Sequence, residues 1–97
     1  MIATRYLVAG MTVWALCANA AAPEPPPGAS ACSGCHPASA NPRSGLPPLI
    51  GRNAGDIVAA MQAFRSGQRA ATVMDRIAKG FSDGEIEAIA AWYAHQR

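Results

Sequence analysis

The sequence predicts an all-α domain. Apolar residues recur at helical spacing in two capped segments, no stretch alternates apolar and polar residues as a half-buried strand would, and no internal repeat appears. The chain has 97 residues, enough for one domain.

Residues 1–20 have a secretory layout. Arg5 is their sole charge, an apolar run extends from Tyr6 to Leu16, and Ala18-Asn19-Ala20 matches a small-x-small cleavage pattern. The run is short for a membrane span. An uncleaved anchor is the alternative reading. Lipidation at Cys17 is disfavoured, because bulky Trp14-Ala15-Leu16 precedes it. The expected organisation is a signal peptide over 1–20, a Pro-rich tether over 21–29 and a folded domain over 30–97, with export to the periplasm. Cleavage after Ala20 would leave a chain that rarely builds a sufficient apolar core unaided, so a staple is expected.

Pro23-Glu24-Pro25-Pro26-Pro27 cannot be helical and reads as extended chain. A turn or single helical turn follows between Gly28 and His36. The Pro-, Gly-, Ser- and Asn-containing stretch from Pro37 to Gly51 reads as loop. A helix is predicted from Ala54 to Ser66, capped by Asn53, favoured by Asp56 in its first turn and stopped by Gly67. Ile57, Met61 and Phe64 share one face, which is expected to be buried. A short helix is predicted from about Val73 to just before Gly80, with Thr72 as its cap. Ser82 and Glu85 form an S-x-x-E capping box for the last helix. Its apolar stripe is Ile86, Ile89, Ala90 and Tyr93.

Eight Lys and Arg stand against six Asp and Glu. This near balance lacks the dense basic patch expected of a nucleic-acid binder. The charges are uneven in order: Arg52, Arg65, Arg69 and Arg76 precede Asp83, Glu85 and Glu87. That order suits either an ordinary solvated surface or a docking face for a redox partner.

Cys32-Ser33-Gly34-Cys35-His36 is a C-x-x-C-H motif. Two thiols separated by two residues can add across the two vinyl groups of one haem, and the next residue can then place its imidazole under the iron. Ser33 and Gly34 are small enough for backbone to lie against the haem edge. A structural zinc site needs four ligands, and beyond the motif only the distant His95 is on offer. A thioredoxin-like pair would sit in a βαβ pattern, which is absent. The motif therefore predicts one covalent haem c on Cys32 and Cys35, ligated by His36. Met61, Met74 and His95 are the candidates for the sixth iron ligand. Met61 has core packing as its ordinary role, and His95 lies near a chain end. Met74 is preferred, because at a loop–helix junction its thioether can reach into a crevice. A Met74 that merely packs, with the sixth site open, would point to a ligand-binding haem.

The order C-x-x-C-H, Leu46-Pro47-Pro48-Leu49-Ile50-Gly51, Phe64-Arg65-Ser66-Gly67, Met74, Ser82-Asp83-Gly84-Glu85-Ile86, Ala91-Trp92-Tyr93 resembles the class I cytochromes c. The resemblance implies a small all-α fold wrapped around one covalently attached haem. It further implies that the Pro47 carbonyl accepts from the proximal histidine, Leu49 packs on the haem, Met74 is the sixth ligand and Tyr93 packs near the haem motif. The run from Thr72 to Ser82 is similar to the cytochrome subunit of flavocytochrome c sulfide dehydrogenase. The function so implied is single-electron transfer in the periplasm, as a haem subunit fed by a flavoprotein partner. A free diffusible carrier is the alternative, and a five-coordinate haem sensor a third. No nucleophile–base pair stands beside the motif, so no independent catalysis is expected.

Overall fold

The computed structural model describes residues 23–97, so the expected signal peptide lies outside the described residues. Within them the chain forms four helices and no strand: α1 (Ala29–Cys32), α2 (Ala54–Ser66), α3 (Met74–Ala78) and α4 (Asp83–His95). No helix among the described residues is long and apolar enough to cross a membrane.

The two long helices begin and end where their side chains dictate. The Asn53 side chain accepts from the Asp56 amide, and Gly67 ends α2 in a left-handed conformation at φ 80°. Ser82 and Glu85 form the reciprocal capping box of α4. Ile86, Ile89, Ala90 and Tyr93 are all buried, as their spacing predicts. Arg65 joins the two helices. Its guanidinium donates to the Asp83 carboxylate and to the Phe81 carbonyl, tying the end of α2 to the start of α4.

The short helices depart from the sequence reading in detail. α3 starts at Met74, with Val73 as its unassisted cap, and Thr72 makes no capping hydrogen bond. The Val73 carbonyl instead accepts from the Arg76 and Ile77 amides at 3.0 and 3.1 Å. So short a helix has little stability of its own and depends on packing. Here α3 packs on α2, with Ala78 fully buried.

α1 is held by contacts distant in sequence. The Tyr93 hydroxyl donates to the Ala29 carbonyl, and the Gly51 amide donates to the Tyr93 carbonyl at 3.0 Å. One residue of α4 thereby fixes both α1 and the loop that precedes α2. Gly28 makes the close approach possible. Its φ is 86°, and a Cβ there would lie 2.6 Å from Phe81 Cε1. The core that results is small: Ala29, Ile57, Ile89, Ala90 and Tyr93 at its centre, with residues such as Leu49, Phe81 and Trp92 packed around it.

The α2 face expected to be buried is only partly so. Ile57 is buried, but Met61 and Phe64 are half-buried. Their outer surface faces a cavity rather than another helix.

Two outcomes test this description. Tyr93→Phe would leave the fully buried Ala29 carbonyl without its partner, so it should lower unfolding stability by about 1–3 kcal/mol, measured by denaturant titration of the holoprotein. Hydrogen bonds from the Ser82 backbone amide, and secondarily from its side chain, hold the Glu85 carboxyl below its ordinary value. A carboxyl with a depressed folded-state pKa stabilises fully above its unfolded value and loses that contribution as pH falls through the folded one. Glu85→Gln should therefore show a shallower loss of melting temperature on acidification than the parent protein.

Candidate functional site

The turn after α1 is built to present a cluster of side chains. The Cys35 and His36 amides both donate to the Cys32 carbonyl, at 3.2 and 2.9 Å. This wound backbone carries Cys32, Cys35 and His36 to the wall of one cavity. Both cysteines are free thiols, Cys32 half-buried and Cys35 exposed. Burial pushes the Cys32 thiol up from its ordinary value.

Across the loop, His36 Nδ1 lies 2.7 Å from the Pro47 carbonyl oxygen. A carbonyl only accepts, so the ring nitrogen must carry the proton and donate. The imidazole is thereby fixed in the tautomer whose Nε2 has a free lone pair.

The cavity has a volume of about 590 Å³. That is within the range of about 300–1,000 Å³ usual for cofactor sites. Leu49 and Ile57 contribute to its wall, as do Met61, Phe64 and Met74. Three large apolar side chains stand exposed among the described residues: Leu46, Val73 and Ile77, at 42%, 51% and 45%. All three line this cavity. Apolar exposure gathered in one concave place calls for an apolar occupant. A haem fits on three counts: the size and apolar character of the space, an imidazole with a free nitrogen on its wall, and two thiols beside that imidazole.

All six site residues read from the sequence, Cys32, Cys35, His36, Pro47, Leu49 and Met74, line this one cavity. Among the candidates for a sixth ligand, Met61 and Met74 reach it and His95 does not. His95 is exposed, with Nδ1 2.7 Å from the Ala91 carbonyl of its own helix. Sequence reasoning missed Leu46 as a wall residue, and missed Arg52, Arg69 and Arg76 there. Nothing local to those arginines signals it; the wall is assembled from separate segments. The resemblance places Tyr93 near the C-x-x-C-H motif, and in the structure it anchors α1, which leads into that motif. Burial pushes the Tyr93 hydroxyl up from its ordinary value, the Cys32 thiol adding a smaller upward push, and that hydroxyl donates to the Ala29 carbonyl.

No known protein-family model matches the chain. It is 38% identical over 64 residues to the cytochrome subunit of sulfide dehydrogenase from Chlorobaculum tepidum, covering 66% of this chain and 58% of that protein. It is 42% identical over 67 residues to a thiosulfate dehydrogenase electron acceptor of Stutzerimonas stutzeri, covering 67% of this chain and 31% of that protein. A protein of the same description from Thiomonas intermedia is 34% identical over 87 residues, covering 88% of this chain and 39% of the relative. The chain thus spans less than two thirds of each of these relatives' length. The chain is a homologue of these cytochromes and electron acceptors, and its described residues, helical and without a strand, are consistent with a small all-α cytochrome c fold.

Proposed function

We propose that this chain is a periplasmic monohaem c-type cytochrome that carries single electrons, as the haem subunit fed by a flavoprotein sulfide dehydrogenase. One observation carries the haem reading: a histidine whose tautomer is fixed by the Pro47 carbonyl stands with two free thiols on the wall of an apolar cavity. The assignment to sulfide oxidation draws on the relatives, one of which is named as a sulfide dehydrogenase cytochrome subunit.

Bound haem supplies a one-electron redox centre. The chain supplies everything around it. Cys32 and Cys35 would hold the group through thioethers. His36 would offer Nε2 to the iron, the Pro47 carbonyl keeping the ring oriented and its basicity high. Met74 would offer its thioether sulfur to the iron as well. Methionine paired with histidine raises the reduction potential, as suits an acceptor. Leu49, Ile57 and Phe64 line the cavity, where they would exclude water from the group, and an apolar surround also tunes potential.

A second reading is favoured by a specific observation. The exposed large apolar residues among the described ones all belong to the cavity wall, and exposed arginines stand beside them. A permanent subunit would show an apolar patch of its own, while a charged border suits a free carrier with transient partners.

Haem attachment and ligation are tested by variants. The parent protein should keep its haem through denaturing electrophoresis with haem staining, and Cys32→Ser/Cys35→Ser should lose it. His36→Ala should abolish the normal low-spin spectrum. Met74→Ala should retain covalent haem but lose the sulfur-to-iron absorption band of the ferric form; an unaltered spectrum would mean that Met74 is not a ligand. The physiological role is tested on untagged protein from its native source. Sulfide should reduce the haem rapidly, and flavin should co-purify. Slow reduction and no flavin would leave the free carrier in its place.

A further inference from the structure

Met74 sits within a segment that is pinned at both ends to one turn of α2. At the near end the Arg69 amide donates to the Ala63 carbonyl at 3.1 Å, and the Arg69 guanidinium carbon stands 4.8 Å from the centroid of the Phe64 ring. At the far end the Arg65 guanidinium donates to the Phe81 carbonyl and, through its other nitrogen, to the Asp83 carboxylate. Ala63, Phe64 and Arg65, consecutive in the last turn of α2, thus hold a strap that runs from residue 69 to residue 81.

Little inside the strap holds it down. α3 is five residues long and no side chain caps it. Ala78 is the one residue between 69 and 81 that the polypeptide buries. Asp75 Oδ1 is buried without a hydrogen-bond partner, and opening the strap would return it to water. A segment with so few buried contacts opens at a free energy below that of global unfolding. Its closure therefore depends on its two ends, which are unequal. The near end has one backbone hydrogen bond and a stacked, exposed cation. At the far end a planar guanidinium forks between two acceptors, and its bond to the Phe81 carbonyl is partly buried. The Asp83 side chain is 70% exposed, so that arm holds weakly.

We propose that Arg65 is the positioning residue that latches this strap and sets how readily the Met74 sulfur leaves the iron. The inference rests on the reading of Met74 as an iron ligand. Arg65 does not line the cavity, so it acts through the strap and not on the bound group. When the strap opens, the sulfur–iron bond breaks with both electrons kept on sulfur. Added neutral imidazole then donates its lone pair at the same position. The iron stays ferric, and no proton moves.

The test follows the ferric holoprotein by stopped-flow absorbance as imidazole replaces Met74 and the sulfur-to-iron band is lost. At saturating imidazole the observed rate levels off at the rate of strap opening. Arg65→Gln should raise that limiting rate about tenfold, because hydrogen bonds from a charged donor are lost. Asp83→Asn should raise it less than about threefold, because its arm is exposed. Arg65→Lys keeps the charge but not the fork, and should fall between the parent and Arg65→Gln. It also carries the test if Arg65→Gln does not fold. Asn53→Ala removes the cap at the other end of α2. It should lower the melting temperature yet leave the limiting rate within about twofold of the parent's. A limiting rate unchanged in both Arg65 variants overturns the proposal. So does a rate that rises as much in Asn53→Ala, at equal loss of melting temperature, since Arg65 would then act only through overall stability. In either case the parent keeps its sulfur-to-iron band, and the reading of Met74 stands. A parent without that band removes both.

Discussion

Between α2, α3 and the loops that flank them the polypeptide leaves an apolar cavity of about 590 Å³, and its own side chains do not close it. The buried residues cannot compensate. Ala29, Ala78 and Ala90 are among them, and Ile86 is the largest fully buried side chain. Apolar side chains that would ordinarily form a core stand at the cavity wall, with Val73 and Ile77 about half exposed. Covering such surface is favourable in proportion to the area removed from water. A group that binds only the folded chain stabilises it by mass action, and one that is covalently attached does so without dissociating. Folding and function thus share one requirement: the cavity whose size and lining fit a haem is also the part of the core that the side chains leave open.

The site depends on joints that cross the whole sequence. His36 is oriented by Pro47, eleven positions on. Residues 49–51 are in turn fixed to α4 through the Gly51 amide and the Tyr93 carbonyl. The same tyrosine holds α1, and with it the turn bearing Cys32 and Cys35. The imidazole and the thiols are therefore referenced to a single residue of the last helix. Gly28 lets the chain enter α1 against Phe81 and Ile89, where a Cβ has no room. Such rigidity suits an electron carrier, because a fixed ligand geometry need not rearrange when the charge of the centre changes.

What was legible in the sequence follows the range of the forces concerned. α2 and the start of α4 were readable to the residue because their caps are local: Asn53 with Asp56, Ser82 with Glu85, and Gly67 at φ 80° all act within one turn. The C-x-x-C-H turn was readable for the same reason. Met61 and Phe64 were misjudged because periodicity reports which face is apolar, not what covers it; here the face borders a cavity. Thr72 was misjudged because α3 is stabilised by its packing on α2, and tertiary contact sets its start. The contributions of Arg65 and Arg69 have no local signature at all, since each depends on how the chain folds back.

The arginines show how one surface can serve two electrostatic ends. A cation beside a redox centre favours its reduced form, which carries less positive charge, and so raises its potential. The same cation attracts an acidic group that approaches within about 8 Å in physiological salt, beyond which screening removes most of the pull. Burial decides the balance. A guanidinium shielded from water acts strongly on the centre, while an exposed one is screened there and acts chiefly on what approaches. Arg69 and Arg76 are exposed, whereas Arg52 is half-buried. Arg52 is accordingly the best placed of the three to act on a group held in the cavity.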